Sequence, residues 1–323
     1  MPSNTLLLLL NRDEVEALLQ PDMALQAVRE AFVLHSQGKG RVFPVVREAL
    51  DTGGLFGIKS GDVQEQGLLG FKAAGFWPAN NRLGGESHQA TIVLVDPATG
   101  RPTCIIDGNV VTTMRTGAAG ALGLVRLARA DSTRVCIFGT GVQARAHLAF
   151  ALRMMPALSK VRYVTRDARS DADFEARFAN QCDISLVVDR NATVAASDVV
   201  ITATPGAGAL FDAESVQPGT HLNCVGADTR GKRELPEGLL ARVRLFVDDS
   251  TQARQIGETQ WAPETPCTAL GDLLTRKAHY NRRADDITVF DMTGLALQDL
   301  TVARLLQQRA DAAQTGTRVA WPW

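Results

Sequence analysis

An α/β fold, with a doubly wound parallel sheet plus a smaller α+β domain, is predicted by three features of the 323-residue sequence. First, Arg134-Val-Cys-Ile-Phe-Gly-Thr-Gly-Val-Gln-Ala144 reads as a buried strand that runs through a glycine turn into a helix, Val142 to Met154, stopped by Pro156. Second, apolar strand-like runs alternate with helical segments beyond that point, the pattern of a parallel sheet with helical crossovers. Third, Arg41 to Asp107 changes to short strands punctuated by glycines, the pattern of an antiparallel sheet.

Composition narrows the function classes. A hydrophobic fraction of 45% and a mean hydropathy of -0.03 describe a globular chain long enough for two domains. Thirty-four Lys and Arg balance 35 Asp and Glu, for a net charge of -1, so no broad field favours nucleic acid or an anionic membrane. Leu6 to Leu10 is too short to span a bilayer and lacks the basic region and cleavage site of a leader, so it reads as a short buried strand. The five cysteines show no CxxC or Cys/His pairing; they are expected to be reduced core thiols in a cytoplasmic protein without a metal site.

Taken in order, the leucine strand leads to a helix capped by Asn11 or Asp13 with Val15, Leu18 and Leu19 on its apolar face. A second helix follows Pro21 through Met23, Leu25, Val28, Phe32 and Val33, ended by Gly38 and Gly40. Strands are expected at Val42 to Ala49, Leu55 to Lys59, Gly70 to Phe76, Thr91 to Val95 and Thr103 to Asp107, with Asp96-Pro-Ala-Thr-Gly100 as a hairpin turn. Val110 to Ala130 is helical and rich in small residues, so other backbone can approach it closely. Past the glycine turn come a strand at Val161 to Thr165 and a helix near Asp171 to Asn180. Strands follow at Ile184 to Val188, Asp198 to Thr204, Thr220 to Gly226, Val243 to Asp248 and Asp286 to Asp291, and Leu295 to Ala312 is a final amphipathic helix. Trp261 to Thr268 reads as a loop.

The glycine turn has the chemistry of a dinucleotide site. Gly139 permits the tight turn, Gly141 lets backbone approach a pyrophosphate, and Ala144 lets the helix pack closely on its strand, its first amides facing the phosphates. Hydride transfer beside a carboxylate needs cations to hold that carboxylate, and Arg47, Lys72 and Arg115 are the candidates; the alternative is solvated charge at strand ends. Asp228 closes the run Leu222-Asn-Cys-Val-Gly-Ala-Asp, where ligands bind in doubly wound sheets; the alternative is a cap for a segment near Glu234. His88 reads as a hydrogen-bonded structural histidine sooner than an acid or base.

Seven strings in order, Ser87-His-Gln-Ala-Thr, Asp107-Gly-Asn-Val, Arg115-Thr-Gly-Ala, Gly139-Thr-Gly-Val-Gln-Ala, Val225-Gly-Ala-Asp, Gly231-Lys-Arg-Glu-Leu and Val289-Phe-Asp-Met-Thr-Gly, resemble the ornithine cyclodeaminase and mu-crystallin family. The resemblance implies a substrate and dimerisation domain formed by residues 1–115 and 296–323, a Rossmann domain over 116–295, and a homodimer. It implies an NAD(P)-dependent enzyme at the C–N bond of a small 2-amino or 2-imino acid. The rivals are a cyclodeaminase, which returns its hydride, and a crystallin-like binding protein without activity. By motif, Arg47, Lys72 and Arg115 bind the substrate carboxylate, Lys72 also shuttles protons, and Asp228 is the catalytic acidic residue. The cofactor is expected against Gly139, Thr140, Gly141, Val142, Gln143 and Ala144, the strand end Thr165-Arg166, and Thr202, Ala203, Thr204, Val225, Gly226, Met292 and Gly294.

Two departures stand out. The segment Arg230-Gly-Lys-Arg-Glu-Leu235 replaces Pro-Gly-Lys-Gln-Glu-Leu, and Lys59-Ser60 replaces Met-Pro at the substrate's side chain. A buried Lys59 needs an anion, supplied by Asp62 or Glu65 or by a second carboxylate on the substrate, and it disfavours ornithine. At the strand end, Thr165 does not repel a 2'-phosphate and Arg166 can pair with it. NADP(H) is therefore favoured over NAD(H), unless Asp167 turns inward.

Overall fold

The computed structural model describes residues 5–322. They fall into two compact units, the first ending at Arg115 and resuming at Leu295, the second running over Thr116–Gly294.

The first unit opens with β1 (Thr5–Leu10), α1 (Arg12–Leu18) and α2 (Pro21–Ser36). Asn11 caps α1 in a full capping box with Glu14, which settles the choice between Asn11 and Asp13. Strands β2 (Arg41–Val42) and β3 (Val46–Ala49) follow; Pro44 lies between them and cannot donate to a ladder, so the single strand expected there is split. β4 (Leu55–Val63), β5 (Leu68–Phe76), β6 (His88–Val95) and β7 (Pro102–Asp107) complete an antiparallel run that leads into α3 (Gly108–Leu127).

In the second unit come β8 (Arg134–Phe138), α4 (Val142–Met154), β9 (Lys160–Val164), α5 (Ala172–Phe178), β10 (Asp183–Leu186), α6 (Arg190–Ala195), β11 (Val199–Thr202) and β12 (His221–Cys224). These are followed by β13 (Arg244–Val247), α7 (Ser250–Ile256), β14 (Cys267–Ala269), α8 (Leu270–Leu274) and β15 (Thr288–Asp291). The chain returns to the first unit with α9 (Ala296–Ala313) and β16 (Thr317–Trp321).

Among the described residues two sheets form. The sheet of the second unit is parallel throughout, in the order β10-β9-β8-β11-β12-β15-β13-β14. Its order reverses between β8 and β11, the switch point of a doubly wound sheet. Its strand β8 is apolar on both faces, as a doubly covered parallel sheet requires: Val135, Cys136, Ile137 and Phe138 are all buried. The supposed loop at Trp261 to Thr268 ends in β14, an edge strand too short to show a period. The sheet of the first unit is mixed rather than wholly antiparallel, in the order β16-β1-β7-β6-β5-β4-β2, because β1 joins β7 in parallel.

On one face of that mixed sheet lies α9. Its Thr301 hydroxyl donates to the Ala27 carbonyl of α2 at 3.0 Å, and its Leu297 and Leu300 come down over the cross-strand pair Gly61 and Gly70. A Cβ on Gly70 would stand 2.4 Å from the Val93 carbonyl oxygen and 2.9 Å from Leu300, so glycine is what lets this helix reach the sheet. No helix among the described residues is long and apolar enough to cross a membrane.

Candidate active site

The face of the sheet beneath α9 carries charges where a hydrophobic layer would be expected. Lys59 of β4 and Lys72 of β5 are direct cross-strand partners, and residues opposite one another share a face. Both are buried, at 8% and 4% exposure, and Arg115 of α3 is 7% exposed. These cations are thus not the solvated sheet-edge charges that composition alone allowed. Arg47 of β3 pairs with Gly57 of β4, and its guanidinium lies over that glycine: a Cβ there would be 2.9 Å from Nη1.

The anion that binds Lys72 and Arg115 is Asp299, in the first turn of α9 and fully buried. Lys72 Nζ stands 2.9 Å from its carboxylate and donates to Thr112 Oγ1 at 3.2 Å. Arg115 Nε donates to Asp299 Oδ1 at 3.1 Å, and Arg115 Nη1 to Gln298 Oε1 at 3.1 Å. The electrostatic consequences are opposite for the two partners. Burial and the neighbouring Arg115 bring the Lys72 ammonium down to about 8, against the pull of Asp299. Asp299 is itself held below the usual carboxylate range: burial pushes it up, but Lys72, Arg115 and, more weakly, Lys59 together outweigh that.

Sequence reasoning missed Asp299, Gln298 and Thr112. The signal was present as Gln298-Asp299 inside the apolar run Leu295 to Leu300, polar groups where an amphipathic helix should face its core. It also offered Lys59 two partners close in sequence, and the structure gives both to other cations. Asp62 forms a two-pronged pair with Arg41, and Glu65 pairs with Lys39 at 2.9 Å.

In the second unit the glycine turn has the shape of a phosphate cradle. Gly139 adopts φ +95°, and a Cβ on it would meet the Ala203 carbonyl oxygen at 2.8 Å. Gly141 is the N-cap of α4 without any side-chain cap, and nothing lies within 4 Å of where its Cβ would be. Thr140 and Val142 complete the turn, Gln143 leaves its buried Oε1 without a hydrogen bond, and Ala144 is fully buried against the strand. Uncapped amides, open space above a glycine and an orphaned acceptor are what a bound dinucleotide would occupy, and these residues fit one.

Thr202, Ala203, Thr204, Val225, Gly226, Met292 and Gly294 all lie at the carboxyl ends of β11, β12 and β15, neighbouring parallel strands. The hydroxyls of Thr202 and Thr204 are taken by the buried Glu234, at 2.7 and 2.6 Å, which also accepts from the Thr204 and Gly226 amides. With those hydroxyls engaged, Thr202 and Thr204 have only backbone to offer a ligand. A second tier of carboxyls steadies the same edge: Asp291 accepts from the amides of Glu258 and Thr259, and burial raises Asp291 to about 7 and Glu258 to about 8.

Asp228 is placed differently from the expectation. Strand β12 ends at Cys224, so Asp228 stands on the following loop, and the short 3₁₀ turn that follows Glu234, Leu239–Arg242, has Gly238 and not Asp228 as its N-cap. Its Oδ1 accepts from Lys232 Nζ at 2.7 Å and from the Thr229 hydroxyl at 3.1 Å, with the side chain 37% exposed. Arg233, one of the departures, lies over the Trp261 ring at 5.3 Å. His88 sits in a network with Asn109 at 3.2 Å, a structural setting. At the end of β9, Thr165 donates to the Arg169 carbonyl at 2.9 Å and Arg166 is exposed. Asp167 accepts from the Arg169 amide and stands 3.7 Å from its guanidinium, so its carboxylate is engaged within its own turn.

Comparison with known proteins gives a consistent picture. The family model for the ornithine cyclodeaminase/mu-crystallin family matches residues 6–314. An alanine dehydrogenase of Archaeoglobus fulgidus is 33% identical over 97% of this chain and 98% of its own length. An iminosuccinate reductase of Paracoccus denitrificans is 32% identical over 94% of this chain and 97% of its own. Among solved structures, an archaeal alanine dehydrogenase dimer with bound NAD superposes with a TM-score of 0.90 at 29% identity, covering 98% of this chain and all of that one.

Proposed function

Because the chain belongs to the ornithine cyclodeaminase/mu-crystallin family, we propose that it is an NAD(P)-dependent oxidoreductase acting at the C–N bond of a small 2-amino or 2-imino acid. The observation that carries this reading is the buried pair of Lys72 and Arg115 on Asp299, with Arg47 half-buried and close enough to Lys72 to act on its charge: a cationic site built to hold a carboxylate, with one member near a physiological pKa. A bound nicotinamide cofactor supplies or accepts the hydride at the carbon bearing nitrogen. Arg115 and Arg47 hold and orient the substrate carboxylate. Lys72 adds its charge to that grip and exchanges a proton with the substrate nitrogen, for which a pKa of about 8 suits it near neutral pH. Asp228 is the second proton-transfer group, and its bond from Lys232 fixes the carboxylate's orientation. In this reading the first unit holds substrate and the second holds cofactor.

Redox stoichiometry tests the proposal. A reductase or dehydrogenase consumes or produces one NAD(P)H per product, whereas a cyclodeaminase shows no net change at the nicotinamide absorbance and a binding protein shows no product at all. A screen of 2-oxo acids with ammonia or methylamine, read by NADPH oxidation, is expected to show turnover.

For the cofactor we favour NADP(H) over NAD(H). Thr165 and Arg166 close β9 where a 2'-phosphate would lie, and Asp167, which follows them, is engaged with Arg169. The expected result is a higher kcat/KM with NADPH than with NADH, and Arg166→Ala should raise the NADPH KM by about tenfold, the loss of one charge-assisted contact. An unchanged KM would remove Arg166 from the site.

We also propose a homodimer. On the mixed-sheet face turned away from Lys59 and Lys72, the cross-strand row Ser60, Phe71, Val93, Ile105 and Leu9 is only half-buried, with four of its five members apolar. A second copy is the natural cover. Light scattering at micromolar concentration should return twice 34.7 kDa, and a monomer there would refute the dimer. The five cysteines are free, which supports a cytoplasmic setting.

A further inference from the structure

Resting on the reading of Asp228 as a proton-transfer group, we infer that Gln260 is a positioning residue, which holds the Asp228 carboxylate in place by bracing the turn behind it. Asp228 leads into a four-residue turn, Thr229 to Lys232. The Lys232 amide closes it onto the Thr229 carbonyl at 3.1 Å, and Gly231 takes φ +85°, a conformation that a residue with a side chain rarely adopts. Lys232, the last residue of the turn, reaches back to Asp228 Oδ1 at 2.7 Å, so the place of the carboxylate depends on the shape of the turn. One side chain holds that shape. Gln260 Oε1 accepts from the Gly231 amide at 2.8 Å, and Nε2 donates to the carbonyls of Gly257 at 2.8 Å, Lys232 at 3.3 Å and Thr229 at 3.4 Å. A primary amide carries its donor and its acceptor on one carbon, which is what gathering an N–H and two carbonyls of the same turn requires.

The brace is itself anchored. Gln260 belongs to the 3₁₀ turn Glu258–Trp261, whose Glu258 and Thr259 amides and Thr259 hydroxyl donate to the buried Asp291 at the end of β15, at 3.0, 2.9 and 2.7 Å. On one side of Gln260, the buried Glu258 accepts from the Glu234 amide at 2.6 Å. On the other, Trp261 Nε1 donates to the Lys232 carbonyl at 2.9 Å while Arg233 covers its ring. The 258–261 turn therefore grips residues 229–234 at several points, and Gln260 makes the contacts closest to Asp228 along the chain. A cleft of about 510 Å³, lined by Gln260 with Arg230, Arg254 and Ile256, opens beside the turn. Water can enter there and replace the hydrogen bonds of a lost amide, so without Gln260 the turn loosens while the core of the sheet stays intact.

The test uses Gln260→Met, which keeps the bulk of the side chain and removes its amide. With NADPH and imines formed in situ from ammonia with pyruvate, oxaloacetate or 2-oxoglutarate, kcat should fall about tenfold, the cost of holding a carboxylate in its productive place about a tenth of the time, with the KM for NADPH unchanged. Because Gln260 acts through Asp228, the same substitution made in Asp228→Asn should lower kcat by less than about twofold more, whereas a role independent of Asp228 would repeat the tenfold loss. Hydrogen exchange gives a readout without turnover: the amides of residues 229–232 should exchange about tenfold faster in Gln260→Met, while those of β12 and β15 keep their protection. Equal losses in the two backgrounds, or unchanged exchange in the turn, overturn the inference and leave the reading of Asp228 intact. Near-normal turnover in Asp228→Asn refutes that reading and the positioning role with it. Exchange needs no substrate, so it decides whether Gln260 braces the turn even if none of the three imines is reduced.

Discussion

Turnover falls by about 10³-fold in Lys72→Met, the larger of the two expected effects. Lys72 is the one charged group in the site that both grips Asp299, at 2.9 Å, and titrates near neutrality. Methionine removes both properties. It also leaves Asp299 with less compensation in a fully buried position, where breaking an ion pair costs about 3–5 kcal/mol, so a drop in melting temperature should accompany the loss. Lys72→Arg separates the roles: it keeps the charge but cannot release its proton near neutral pH, so the structure should hold and catalysis should not. The pH dependence carries the sign. In reduction the protonated amine is the acid, present below about pH 8, so kcat should decline as pH rises through 8. In the oxidative direction the neutral amine is the base, and kcat should rise through the same pH. Lys72→Arg should lose that inflection in both directions; if the inflection persists, Lys72 is structural.

The second expectation is a fall of roughly 10²-fold or more in kcat for Asp228→Asn with cofactor affinity retained. The amide keeps the shape and can still meet the Thr229 hydroxyl and Lys232 ammonium that now bind Oδ1. The folded state should scarcely notice, since a half-exposed i,i+4 pair contributes about 0–1 kcal/mol. A large kinetic effect with little thermal effect is therefore the signature of a proton-transfer group. Near-normal turnover would make Asp228 an anchor for its loop and no more.

Much of this molecule is legible in its chain. The strand, glycine turn and helix at Arg134 to Met154 are set by local chemistry, because a tight turn needs Gly139 in a left-handed conformation and the helix needs Ala144 against its strand. The buried cations Lys59, Lys72 and Arg115, and the half-buried Arg47, could be singled out as charges among apolar runs. What could not be read is what they face. Asp299 lies 227 residues from Lys72 and 184 from Arg115, and only the return of α9 onto the first sheet joins them. Nor could local sequence reveal that Asp62 and Glu65 turn to Arg41 and Lys39, since proximity along a strand says nothing about which face a side chain takes unless the register is known. The edge strand β14 left no periodic signal because its three residues are too few to show one.

The insertion of the whole second unit between Arg115, within α3, and α9 has a consequence for biosynthesis. On the ribosome, Lys59, Lys72 and Arg115 emerge long before their counter-charge, and residues 116–294 must be translated before Asp299 exists. At about 5–20 residues per second that interval is tens of seconds at the slower rates. During it the emerging sheet lacks α9 over Gly61 and Gly70 and holds a cluster of like charges that repel, so the nascent first unit stays open while the second, contiguous in sequence, is free to complete its own core. The same geometry makes α9 the latch of the first unit. Its docking closes a chain loop of more than two hundred residues and brings, in a single event, the apolar cover for the sheet and the carboxylate that reconciles the cations beneath it.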